Sequence, residues 1–204
     1  MTGTAAGRGR PRDATRDRAL LEATLAVLTE SGYSALTTAA VAARAGASTA
    51  TLYRRWPSKE TLVVAAAAAY AKELEAQPDT GTLEGDLRTL LRDKAASLTG
   101  KEGGVLRTLI GEAAFNTALA EALTNTFVLP MRQRMEEAVR RAVHRGEIPP
   151  VENSDLLGDL VIGPMMCRFF LTPLPPDQVD AATATETADR MLPFLLRALG
   201  HAPS

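Results

Sequence analysis

Two short helical patterns meet at a single glycine between residues 37 and 56, and this junction constrains the chain more than any other feature. Thr37 or Thr38 can cap a helix whose apolar or small positions, Val41, Ala42 and Ala45, recur every three to four residues and face inward. Gly46 ends that helix, because only glycine takes the left-handed turn conformation without a Cβ penalty, and Ser48 can cap a new helix two residues later. The second helix, about Ser48 to Arg54, offers Leu52 to the interior and leaves Thr49, Ala50, Thr51, Tyr53, Arg54 and Arg55 for its outer side and ends. Such small, hydroxyl, phenol and guanidinium groups can approach a base edge, touch a thymine methyl or donate to phosphate oxygens. A third helix starts at once at Pro57-Ser58. The pattern predicts a helix-turn-helix that reads double-stranded DNA.

The run from Thr37 to Leu62, with ALTTAAVAARAG before and TLYRRWPSKETL after, closely resembles the TetR family of bacterial transcriptional regulators. Leu52-Tyr53, the aromatic Trp56 and then Lys59 reproduce that family's link into its fourth helix. The resemblance covers residues 14 to 74 firmly and the rest more loosely, although LVIGPMMCRFFL at 160 to 171 also looks like a C-terminal segment of one branch. It implies an all-α chain. An N-terminal three-helix DNA-binding domain would be linked by helix four to a helical C-terminal domain for ligand binding and dimerisation. By position it implies that Tyr53 and Lys59 anchor phosphates. It also implies a homodimer on a palindromic operator, most often a repressor released by a small-molecule effector, with activation as the alternative. In that mechanism two recognition helices enter successive major grooves about 34–36 Å apart, and a ligand that changes this spacing lowers affinity.

Composition agrees. With 46% apolar residues in 204, the chain can bury a core of one domain or two small ones. Aromatics are 4% and alanine and leucine dominate, which favours helices over strands. The single cysteine, Cys167, excludes an internal disulfide, and no signal-peptide pattern opens the sequence. The longest apolar run, Leu62 to Tyr70, is far short of the ~20 residues that span a bilayer. The expectation is a cytoplasmic protein with no membrane partner. The net charge of −1 hides an asymmetry: residues 1 to 59 hold nine Lys and Arg against four acids, a surplus of +5, and the remainder carries −6. A basic N-terminal third on an acidic body would orient the molecule toward a polyanion.

Residues 1 to 12, MTGTAAGRGRPR, contain no large apolar group and are expected to be a disordered basic arm ahead of a DNA-binding domain at 13–76. Arg8-Gly9-Arg10-Pro11 is similar to the core of an AT-hook, in which a slim backbone lets arginines lie along a narrow minor groove. A generic basic tail is the other reading of Arg8, Arg10 and Arg12, and either version touches DNA. Helix one is expected from Asp13 to Ser31, with Leu21, Leu25 and Leu28 on its inner face and Gly32 as its stop. Helix four should run from Ser58 to about Ala76 and transmit movement to the reader.

Residues 77–204 read as a helical ligand-binding and dimerisation domain of five further helices without strand signals. These are about Thr82 to Leu98, Gly104 to Phe115, a long Thr117 to Arg145 with a kink at Pro130, Asn153 to Leu171, and Asp177 to Leu199. The stretch Asp155 to Met165, with its small Gly158 and Gly163, is too apolar for a surface helix unless another subunit covers it. The expected dimer interface is Leu156, Leu160, Gly163, Leu192, Leu195 and Leu199. Candidate ligand-pocket residues are Leu109, Phe115, Phe127, Met131, Met135, Met166, Cys167 and Phe170, with ordinary core as the competing reading. Arg107, Glu112 and Arg168 would fix a polar ligand group or pair with one another. Cys167, in apolar company, is expected to be a buried, inert thiol rather than an oxidant sensor.

Two other function classes compete. An enzyme lacks its chemistry here: His144 and His201 have no obvious partner, and there is no nucleophile elbow, phosphate loop, Cys-x-x-Cys pair or metal spacing, so neither a metal nor another cofactor is expected. An architectural DNA-bending protein using the Arg8 to Arg12 arm would leave the acidic body of about 130 residues without a role.

Overall fold

The computed structural model describes residues 11–70, 77–152, 156–172 and 180–201, and among these there is no strand. The chain divides into two compact units, residues 1–66 and 67–204.

The first unit opens with α1, Pro11–Ala35, which starts two residues earlier than expected because proline suits the first turn of a helix. Its buried stripe is Leu20, Ala23, Thr24, Val27 and Leu28. Only Leu28 of the three predicted leucines is in the core; Leu21 and Leu25 flank it, half-buried. Small Ala23 and Thr24 lie on the inner face instead, and the Thr24 hydroxyl is satisfied by donating to the Leu20 carbonyl at 2.7 Å. Gly32, at φ 75°, breaks the helical path and delivers Tyr33 and Leu36 to the core.

α2 is Thr38–Arg44 and α3 is Thr49–Tyr53. Thr37 caps α2 by accepting from the Ala40 N–H at 3.1 Å, and Ser48 caps α3 by accepting from that of Thr51 at 3.2 Å. Between them Gly46 adopts φ 63°, Gly46 N–H donates to Ala43 at 3.2 Å and Ala47 N–H to Ala42 at 2.9 Å. This Schellman pairing satisfies the last carbonyls of α2. Val41, Ala42 and Leu52 fill the space behind the turn. α4, Lys59–Tyr70, begins with a reciprocal cap in which Thr61 N–H donates to Ser58 Oγ and Ser58 N–H to Thr61 Oγ1. Its expected final turn, 71–76, lies outside the described residues.

The second unit holds α5 (Leu83–Ser97), α6 (Gly100–Ala113), α7 (Thr117–Leu123), α8 (Leu129–His144), α9 (Leu157–Met166) and α10 (Ala181–Ala198). α5 packs on α10 and α8, and α8 on α9. Between α7 and α8 the kink expected at Pro130 is absorbed by a π-turn at Thr124–Val128, where Leu129 N–H reaches back to Thr124. Proline cannot donate to the carbonyl four residues back, so widening the preceding turn keeps the long helix continuous. A second π-turn, Cys167–Leu171, extends α9 beyond Pro164.

A buried polar knot fixes the start of α5 to α8. The fully buried Asp86 carboxylate accepts from Thr80 N–H at 2.7 Å, from the Thr80 hydroxyl at 2.9 Å and from Arg141 Nη2 at 2.9 Å. The same Arg141 nitrogen donates to the Pro78 carbonyl at 2.6 Å. Burial alone would raise the Asp86 pKa, but these donors outweigh it and hold the carboxyl below its ordinary value. Nearby, Glu147 accepts the Leu83 N–H at 2.6 Å. Gly158 lets α9 approach α8 closely: a Cβ there would lie 2.8 Å from the Arg132 Cα. Gly158, one of the two small residues of the apolar stretch 155–165, thus serves packing within the chain. Arg132 and Asp159 then close a bidentate pair at 3.0 and 2.8 Å.

Candidate nucleic-acid interface

The outer side of α3 is built by the two caps and the Gly46 turn. With Leu52 fully buried as the anchor, Thr49 and Ala50 are exposed, Thr51 is half-buried, and Tyr53 and Arg54 are exposed. The Ser48 hydroxyl also lies 3.0 Å from Thr51 Oγ1, so both groups are partly committed to the cap. Thr37 likewise spends its oxygen on α2, whereas Thr38 Oγ1 lies 3.0 Å from the Tyr53 hydroxyl. That contact ties the start of α2 to the end of α3 and leaves the phenol edge turned outward, able to donate to a phosphate oxygen.

The cations sort into two kinds. Arg54 is exposed at the end of α3. Arg55, expected beside it on the outer side, is half-buried and donates through Nη1 to Asp17 of α1 at 2.6 Å. Arg55 belongs to the scaffold here because a guanidinium near an inward-facing carboxylate is held by charge as well as hydrogen bonding. Arg44 is exposed but engaged in a bidentate pair with Glu30 at 2.5 and 2.7 Å. The Arg44 hydrogen bond holds the Glu30 carboxyl below its usual range. Lys59, the first residue of α4, lies with its Nζ 4.2 Å from the centre of the Tyr33 ring. Tyr33 in turn donates its hydroxyl to Glu60 at 2.8 Å. The partners Asp17 and Tyr33 were not legible as site-forming residues, since they meet Arg55 and Lys59 only through the tertiary fold. Arg8 and Arg10 lie outside the described residues, as does the side chain of Arg12.

Residues 20–66 match the family model for bacterial regulatory proteins of the tetR family, and residues 77–188 match the tetracyclin repressor-like C-terminal domain. The chain belongs to the TetR family. An uncharacterized HTH-type transcriptional regulator of Mycobacterium tuberculosis (strain H37Rv) is 37% identical over 185 residues, covering 91% of this chain and 90% of that protein. The DNA-binding transcriptional repressor TetR of Mycobacteroides abscessus is 33% identical over 164 residues, 78% of this chain and 85% of its own length. The crystal structure of the TetR family transcription regulator SCO0332 superposes with a TM-score of 0.65 at 30% identity, covering 92% of this chain and 99% of that one. This TetR-family chain is thus an all-helical, DNA-binding transcriptional regulator, from a family of regulators rather than of enzymes.

The C-terminal unit of this TetR-family protein places the expected ligand residues unevenly. Leu109, Phe127, Met131 and Met135 are buried, while Glu112, Met166 and Phe170 are half-buried. Phe115 is 96% exposed, because it follows the end of α6 in a turn and shares no helical face with the others. Cys167 is exposed as well, contrary to the expected buried thiol, because helical spacing puts it on the outer face with Leu160 and Gly163, opposite buried Val161 and Met165. Arg107 donates to the Phe169 carbonyl at 2.9 Å and lies over the Phe170 ring, so it braces the π-turn; Arg168 is exposed. An open groove of about 510 Å³ between α5 and α10, with Arg88, Asp189, Pro193 and His201 among its walls, contains none of the expected ligand residues.

The expected dimer residues separate into two groups. Leu156, Leu160 and Gly163 are exposed. Leu192, Leu195 and Leu199 are not: they are buried within the chain, Leu192 and Leu195 on the inner face of α10 and Leu199 just past its end. The exposed apolar group of α10 is Phe194, and the turn after α9 adds exposed Leu171.

Proposed function

We propose that this regulator is a repressor that binds a palindromic operator as a homodimer and is released by a small molecule held in the C-terminal unit. The observation that carries the reading is the presence of a polar, exposed α3 surface (Thr49, Ala50, Tyr53, Arg54) together with exposed large apolar side chains (Leu156, Leu160, Leu171, Phe194) on and beside the last helices. The first suits base edges and phosphates, and the second suits a second copy of the chain. Within the first surface Tyr53 and Lys59 hold phosphates, whereas Thr49, Ala50, Thr51 and Arg54 meet the major groove. The repressor named in Mycobacteroides abscessus supports the sign of regulation, and the tetracyclin repressor-like match over 77–188 supports an effector. Buried Phe127, Met131 and Met135 line the effector site, where an apolar ligand would be recognised chiefly by shape.

Selection of binding sites from a random duplex pool tests the reading. Inverted half-sites whose centres are one helical turn or a multiple apart are expected, with two subunits per duplex in sedimentation. A selected site without symmetry, bound by one subunit, would overturn it.

A further inference from the structure

We propose that Tyr33 is the positioning residue for Lys59, a buried aromatic platform that aims the ammonium outward at the DNA backbone; the inference rests on the phosphate role proposed for Lys59. A lysine side chain has a long flexible stem, and holding it toward one phosphate loses rotamer freedom at the moment of binding unless the fold has already restricted it. Lys59 is also poorly placed by its helix. As the first residue of α4 it stands at the positive end of the helix dipole, which disfavours a cation. Two features offset this. The Tyr33 ring lies 4.2 Å from the Lys59 Nζ, and the negative face of an aromatic ring attracts an ammonium. Glu60 in the same first turn supplies an acid, and its Oε1 accepts the Tyr33 hydroxyl at 2.8 Å.

The platform is fixed. Tyr33 is only 6% exposed, and it is delivered by the break at Gly32 and a turn in which the Leu36 N–H donates to the Tyr33 carbonyl at 3.2 Å. The ring can engage one side of the ammonium while its remaining N–H donors stay available to an anion. The arrangement restricts the stem without spending the charge, unlike Arg44 and Arg55, whose guanidiniums are matched by Glu30 and Asp17.

The test uses the full chain and a mixed-sequence duplex of about 30 base pairs, on which phosphate contacts dominate. Lys59→Ala should weaken binding and flatten the plot of log K against log salt by ~0.9 per subunit. Tyr33→Phe keeps the ring and should bind nearly as the parent does. Tyr33→Leu should weaken binding about five- to thirtyfold in a dimer carrying it twice, and should have no further effect in a Lys59→Ala background. Because a buried leucine substitution can also cost stability, pentafluorophenylalanine at position 33 serves as the second variant. It keeps the shape of phenylalanine and reverses the charge of the ring face, so it should lose affinity with little change in thermal unfolding. An unchanged salt slope in Lys59→Ala would overturn the phosphate role and the inference with it. A normal loss in Lys59→Ala beside unchanged or tighter binding by the pentafluoro variant would overturn the inference alone.

Discussion

The reader and the C-terminal body leave opposite kinds of group on their surfaces. Around α3 the exposed side chains are small, hydroxyl-bearing, phenolic or cationic, and the one large aliphatic residue, Leu52, is fully buried. On α9, its π-turn and α10 the exposed side chains include Leu156, Leu160, Leu171 and Phe194. A polyanion is met by donors whose hydrogen bonds must be satisfied on contact, whereas another copy of the chain is met by area removed from water. Both regions combine local caps with ties between residues far apart in sequence: caps at Thr37, Ser48 and Ser58 with the Asp17–Arg55 pair in the reader, and caps at Thr82 and Asn116 with the Asp86–Arg141 and Arg92–Asp189 pairs in the body.

The largest effect should come from separating the two sides of α10 and α9. Leu195→Asp places a carboxylate in the subunit's own core and should destabilise the C-terminal unit by several kcal/mol, lowering its unfolding midpoint before any question of assembly arises. Leu160→Asp changes an exposed residue and should leave helix content and unfolding nearly unchanged while splitting the proposed dimer. Sedimentation and thermal circular dichroism on the pair distinguish the roles; equal behaviour of the two variants would break the distinction between inner and outer faces.

Next in size is the polar knot. Arg141→Met leaves the fully buried Asp86 without its cation and should cost about 3–5 kcal/mol at neutral pH in denaturant unfolding. Because the native Asp86 pKa is lowered, its ionised form is the stabilising one, and the contribution is complete above the unfolded carboxyl's range. It is lost as pH falls through the lowered native value, so the gap between parent and variant should narrow below about pH 4. A gap that widens in acid would contradict the assignment.

The smallest of these effects lies in the reader. Asp17→Asn keeps the shape of the site but removes the charge facing Arg55, and a half-buried pair of this kind contributes about 1 kcal/mol. With one negative charge beside Arg55 removed, the net positive charge near the DNA side rises, so non-specific duplex binding should tighten slightly and gain salt dependence even as stability falls. Loss of both stability and non-specific affinity would show that Arg55 acts only through the scaffold.

These contrasts also explain what could be read in the sequence. The helix-turn-helix was legible because each of its determinants is local: the caps Thr37 and Ser48, the left-handed Gly46 and the inward Leu52 all act within a few residues. Helix periodicity marks an apolar face but cannot say whose core the face meets. Leu192, Leu195 and Leu199 therefore read as interface while they fill the chain's own core, and the exposed Phe194 lies on the other side of α10. On α9 the periodicity that buries Val161 and Met165 sets Cys167 on the opposite face with exposed Leu160 and Gly163, against expectation. In α1 the inner face is formed by small Ala23 and Thr24, which suit the closest approach, rather than by Leu21 and Leu25. Arg55 and Lys59 read as cations by type, but their different standing depends on Asp17 and Tyr33, which only the tertiary structure brings near.

Everything proposed for the reader requires that the exposed side of α3 be the surface that meets DNA. Thr49→Glu tests it most directly, because Thr49 is exposed and lies in the first turn of its helix, where an acid does no harm to the fold. Equilibrium binding to a duplex selected by the parent protein should be lost by at least ~1–3 kcal/mol per half-site, with thermal unfolding and the dimer unchanged. Parental affinity in a folded, dimeric Thr49→Glu protein would contradict the claim and move the DNA-binding surface away from α3.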